Sequence, residues 1–184
     1  MKEILHRLPM RFKFALVLVL PLIALGWFAA SGAIARQAAV NELSRMQALT
    51  ALAQQAGGWV HQVQRERGMT AGFLGSQGKV FGDRLRQQRS DTDAAAEAFF
   101  QQRDQLDATL LTSTISSQLA AVEQQWQQNQ SLRDQVDLLS VATPEALGHY
   151  TGLNSLLMVL VGELAHLTGE GAITRQLAAY YNLL

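Results

Sequence analysis

The sequence predicts an all-α protein, an N-terminal transmembrane helix continuing into an antiparallel helical bundle. Three observations carry this. Only three prolines interrupt 184 residues. Polar positions are rich in Gln and Arg, with Ala frequent between them, all residues that helices tolerate well. Apolar residues recur at spacings of three, four and seven along most of the chain, the signature of amphipathic helices. A hydrophobic content of 48% suits a folded or membrane-attached chain rather than a disordered one. A formal net charge of zero provides no broad basic surface, so a nucleic-acid partner is not expected. The absence of cysteine excludes disulfides, Cys-ligated zinc and thiol catalysis.

The first element is Phe14 to Ala35, 22 residues without a charge. At about 1.5 Å per residue this spans a hydrocarbon layer of about 30 Å. Lys2, Arg7, Arg11 and Lys13 precede it against the single acid Glu3. The positive-inside bias therefore places residues 1–13 in the cytoplasm and residues 36–184 outside, which in a bacterium is the periplasm beyond the inner membrane. The competing reading is a cleaved signal peptide, since Ala33-Ile34-Ala35 has the small-x-small form of a cleavage site. Pro21 is tolerable in a membrane helix and kinks it.

From Arg36 to about Gly75 no proline occurs, and Leu43, Leu49, Leu52, Ala53, Ala56, Val60 and Val63 form an apolar stripe. The membrane helix thus runs on into a long amphipathic one. Residues 75–79 form a turn. A second helix is expected over 81–111 with Leu85, Ala95 or Ala96, Phe99, Leu106 and Leu110 inward. Residues 111–117 break it. A third, Gln-rich helix carries Leu119, Val122, Trp126, Leu132, Val136 and Leu139. Thr143-Pro144-Glu145 reads as a helix start, with Thr as N-cap, Pro in the first turn and an acid at the positive helix end. The fourth helix buries Leu153, Leu156, Leu160, Leu164 and Leu167 and stops near residues 168–171; a fifth begins near Ala172. Its continuous apolar run is too short for a second span, and Glu163 and His166 follow at once. The last residues stop in mid-pattern, from which the natural helix is expected to continue beyond Leu184.

One stretch concentrates charge: Gln64-Arg65-Glu66-Arg67-Gly68-Met69-Thr70. With Val60 as the centre of the stripe and about 100° per residue, Arg67 falls about 20° from the centre, with Gln64 and Thr70 on the same face. Arg65 and Glu66 point to solvent or to the stripe's edge. An inward arginine keeps its charge and requires a partner. That partner is either an internal acid, for which Glu163 at the edge of the fourth helix's apolar face is the candidate, or an external anion. A planar guanidinium offers paired N–H donors that suit nitrate, nitrite or a carboxylate. Gly68, Gly72 and Gly75 lack the spacing of a phosphate loop and read as close-packing or turn residues. His61 has no second His four residues on, so no metal site is expected. His149 reads as a hydrogen-bonded core residue, and Trp59, Trp126, Tyr180 and Tyr181 as packing residues. No nucleophile–base or paired-carboxylate constellation assembles, so neither an enzyme nor a cofactor is expected.

The segment "QRERGMTAGFL", placed after an N-terminal anchor, resembles the NIT domain, the nitrate- and nitrite-sensing family, whose signature is Gln-x-Glu-Arg-Gly-x-Ser. Gln64, Glu66, Arg67 and Gly68 match it, and Thr70 keeps the hydroxyl. The stretch from His149 to Leu184, a Tyr followed by a Leu-rich helix and "AYYNLL", also resembles the family's middle section. The resemblance implies an all-helical sensor module of bacterial chemoreceptors, sensor kinases and antiterminators that binds nitrate or nitrite through arginines. It makes Arg67, with Gln64 and Thr70, the ligand-binding candidate, and Glu66, Gly68 and Glu163 structural or orienting residues. The expected whole is the membrane-anchored sensory part of a methyl-accepting chemotaxis type of receptor, working as a homodimer. The alternatives are a ligand-free structural bundle, with Arg67 permanently paired, and a secreted helical binding protein.

Overall fold

The computed structural model describes residues 9–107 and 110–181, with backbone alone at 11–17, 20 and 170–181. The described residues form five helices and no strand: α1 Met10–Gly75, α2 Gly82–Asp104, α3 Ser113–Gln127, α4 Asn129–Asp137 and α5 Thr143–Tyr181. The chain divides into two compact units, Met1–Ser44 and Arg45–Leu184.

In the first unit the large apolar side chains among the described residues find little protein cover. Leu22, Ile23, Leu25, Trp27, Phe28 and Ile34 are all largely exposed, Phe28 at 75%. By length and composition this part of α1 is apolar enough to cross a bilayer, and so is Thr143–Gly169 of α5. The two differ in what they face. Leu153, Leu157, Leu160 and Leu164 of α5 are fully buried by other helices, as expected of a bundle's core helix.

In the second unit, burial follows heptad seams. On α1 the buried residues Leu49, Leu52, Ala56, Trp59, Val63, Glu66 and Thr70 alternate spacings of three and four. On α5, Ala146, Tyr150, Leu153, Leu157, Leu160 and Leu164 do the same. This repeat of 3.5 keeps one face against neighbouring helices. Around these seams pack Leu85, Ala96 and Phe99 of α2, Ile115, Leu119 and Val122 of α3, and Leu132 and Val136 of α4. Trp59 is the aromatic hub, with ring centroids 5.3 Å from Phe99, 5.5 Å from Phe100 and 5.0 Å from Trp126. Leu43, expected in the stripe, is half exposed and lies outside the buried seam.

Helix ends account for most departures from the sequence expectation. α1 stops with a Schellman turn: Gly78 N donates to Phe73 O at 2.9 Å and Gln77 N to Leu74 O at 3.0 Å, with Gln77 and Gly78 at positive φ. α2 ends at Asp104, earlier than expected, and Thr112 begins α3 by accepting a hydrogen bond from Ile115 N. The single Gln-rich helix is two, α3 and α4, broken at Gln128. Leu139 does not pack inward; it holds a left-handed φ of 53° beyond α4 and is exposed, closing a second turn of the same kind. α5 starts at Thr143 itself and continues through residues 168–172, where a break was expected. Four residues of threonine, glycine and glutamate weaken a helix without breaking it when no proline intervenes. The packing expected of Tyr180 and Tyr181 concerns side chains outside those described.

Candidate functional site

The charged segment of α1 sits on the seam, but its residues face differently from the sequence expectation. Glu66, expected at the edge or in solvent, is fully buried, and Arg67 and Gln64, expected inward, are exposed. The reason is phase. Burial follows the line Leu52, Trp59, Glu66, seven residues apart, whereas Val60 lies on the rim of the buried face. Centring the stripe on Val60 instead of Trp59 rotates the assigned face by about 100°, which takes Glu66 out of it and Arg67 into it. Thr70 is buried as expected, on the seam.

Glu66 is the centre of a buried charge network. Arg133 of α4 grips it with two bonds, Nε to Oε1 and Nη2 to Oε2, both 2.8 Å, the bidentate geometry that makes arginine–carboxylate pairs strong. Tyr150 of α5 donates its hydroxyl to Glu66 Oε1 at 2.9 Å, and Arg133 Nη1 donates to Asp93 Oδ1 of α2 at 2.7 Å. The guanidinium also lies 5.5 Å from the Trp126 ring centroid. Burial by itself lowers the Arg133 pKa, but its bonds and charge interactions with Glu66 and then Asp93 outweigh that and raise it. Burial, reinforced by the Glu66 carboxylate, pushes the Tyr150 phenol well above its usual value. The network therefore joins four helices around one arginine and two carboxyl groups.

His149, next to Tyr150, is half-buried. The amide nitrogen of Gln125 donates to its Nδ1 at 3.0 Å. Its Nε2 is buried without a partner, and burial lowers the ring's pKa more than the Glu66 charge raises it.

Beside the seam lies an open cleft of about 400 Å³, lined by Gln64 and Arg67 of α1 and by Thr151, Asn154, Ser155 and Met158 of α5. Most of these residues follow a buried one directly: Gln64 after Val63, Arg67 after Glu66, Thr151 after Tyr150, Asn154 after Leu153 and Met158 after Leu157. The cleft is therefore the rim of the same two seams that hold the buried network. Among the described residues, no ion pair or hydrogen bond engages the Arg67 side chain. Glu163, the expected internal partner, is exposed and does not pair with it. Close packing explains only one of the three glycines. A methyl group at Gly72 meets the Phe81 ring at 2.6 Å, whereas Gly68 and Gly75 have open space around them. His61 is exposed.

Sequence reasoning brought Gln64 and Arg67 together and missed Arg133, Asp93, Tyr150, Asn154 and Ser155 as parts of the arrangement. A signal for Arg133 exists: it stands three residues before Val136 and four after Asn129, both buried. For Glu66 the signal is its heptad distance from Trp59.

Fold and site together define a helical bundle domain with an internally paired charge network and, along its rim, a cleft lined by an arginine that has no partner among the described residues. The model of a family described as nitrate and nitrite sensing, NIT, matches residues 59–184. The chain belongs to that family. Among solved structures, that of the NasR transcription antiterminator is similar at 25% identity with a TM-score of 0.64, covering 77% of this chain and 37% of that one. The chain thus spans well under half the length of that protein. No curated protein matches it.

Proposed function

We propose that this chain is the membrane-anchored, extracytoplasmic sensory portion of a bacterial signal-transduction receptor of the methyl-accepting chemotaxis type, and that it binds nitrate, nitrite or a similar small anion at Arg67. The observation that carries this reading is the family match combined with an arginine of the family motif that lines a cleft unpaired. A guanidinium without a carboxylate is free to receive a planar oxyanion through paired N–H bonds. Gln64 lines the same cleft. Thr70 is buried and does not line the cleft.

The exposed apolar side chains between Leu18 and Ile34 support a lipid-embedded segment, and the basic residues before it support a cytoplasmic N-terminus and residues 36–184 in the periplasm. A homodimer is the working assembly. An anion bridging the rim displaces α1 relative to α5, and α1 is the helix that also carries the apolar segment. Occupancy so biases the packing of the signalling helix.

The test is thermal unfolding of the full chain in detergent micelles with sodium nitrate, sodium nitrite or sodium chloride at matched ionic strength. Nitrate or nitrite at a hundred times its dissociation constant stabilises by about 2.7 kcal/mol, and Arg67→Ala removes the effect. Equal behaviour in all three salts defeats the proposal.

A further inference from the structure

The α5 wall of the cleft holds a ligand contact that the charged motif does not contain. Its polar residues are unequal as hydrogen-bond donors. The Thr151 hydroxyl donates to Leu147 O at 2.7 Å and the Ser155 hydroxyl to Thr151 O at 2.9 Å. Each has committed its one proton within the helix and offers the cleft only lone pairs. Met158 adds apolar, polarisable surface. Asn154 is different. Its Oδ1 is buried with no hydrogen-bond partner, so the amide nitrogen, with two N–H donors, is the group it presents to the cleft. An unpaired buried carbonyl oxygen is a cost to the fold, and it is the cost of turning the nitrogen outward.

We propose that Asn154 is a specificity-determining contact: its amide and the Arg67 guanidinium hold a small monovalent oxyanion from opposite walls of the cleft. The assignment rests on the anion-sensing reading above. An oxyanion accepts hydrogen bonds and donates none, so Asn154 is the α5 residue of this wall able to meet it. Charge sets the class. Arg67 is the single ionised residue in the lining, the others being neutral, so a monovalent anion is matched. A divalent one such as sulfate brings a second charge with no counterpart and must be desolvated against neutral groups. Because Asn154 follows Leu153 and Arg67 follows Glu66, a ligand held by both ties the two seams together at the level of the buried network.

Calorimetric titration of the full chain in detergent micelles with sodium nitrate, and separately with sodium nitrite and sodium sulfate, decides it. Asn154→Leu is expected to weaken nitrate binding by at least about tenfold, the loss of one bond to a charged group, with a melting temperature equal to or above that of the unmodified chain. Asn154→Asp, of the same shape but with a carboxylate, is expected to abolish binding and serves if the leucine variant fails to fold. Nitrate affinity unchanged in Asn154→Leu or Asn154→Asp while Arg67→Ala abolishes it overturns the assignment and leaves the anion-sensing reading intact. So does sulfate binding tighter than nitrate. No binding of nitrate or nitrite by the unmodified chain overturns both.

Discussion

Glu66 and Arg67 are adjacent on α1 and live in opposite surroundings. The carboxylate is fully buried and holds three hydrogen bonds from Arg133 and Tyr150. The guanidinium one residue on stands at the wall of an open cleft without a partner among the described residues. One step along a helix turns a side chain by about 100°, enough to carry it from seam to rim. The contrast separates two uses of charge. A buried charge is fixed by neighbours it cannot leave, so it specifies how helices dock. A charge on the rim makes no such commitment and is available to a solute.

The sharpest way to break this contrast is to remove the buried charge. Glu66→Ala takes the bidentate partner from the buried Arg133, leaving it the half-exposed Asp93, and should cost about 3–5 kcal/mol in urea denaturation; a loss no greater than that of a surface substitution means the network does not hold the bundle. Tyr150→Phe is milder, since Arg133 still covers the carboxylate. It removes one hydrogen bond to a charged group, an expected loss of about 1.5 kcal/mol. Arg67→Ala tests the other side of the comparison. Its stability should fall within about 0.5 kcal/mol of the unmodified chain while the response to nitrate disappears, and a large stability loss instead restores the ligand-free structural reading.

The smallest effect is a pH dependence at His149. Burial lowers its folded-state pKa below the unfolded value of 6.5, so between the two values the unfolded chain binds the extra proton. Stability therefore rises with pH through that window and is lost as pH falls below 6.5. Melting temperatures recorded on acidification should decline less steeply in His149→Gln; parallel curves rule out this linkage.

Much of the architecture was legible without coordinates. Leu153, Leu160 and Leu164 of the α5 seam, the aromatic residues of α2 and the turn after Gly75 follow from local spacing and turn chemistry, whereas Leu157 is buried where Leu156 was expected. The break at Gln128 was not legible, because "QWQQNQS" contains no residue that forbids helix; docking of α3 and α4 decides it. Leu139 in a left-handed turn was equally hidden, since leucine carries no preference for positive φ. The family motif pointed to Gln64 and Arg67 as a pair, and both line the cleft. The helical phase of the same motif misled, because the stripe was centred on Val60 at its rim rather than on Trp59 in its seam.

What the sequence by itself determined is the helical class, the apolar N-terminal segment and the chemistry concentrated in Gln64 to Thr70, all properties of residues close together in the chain. What only the tertiary structure decided is which of two neighbouring charges is buried and what each one meets. Glu66 is joined to Arg133 across 67 residues and to Tyr150 across 84, and the cleft pairs α1 with a distant stretch of α5. Helical periodicity fixes only relative angles along one helix. The absolute orientation of each face is set by the partners it packs against, and those are chosen by the fold as a whole.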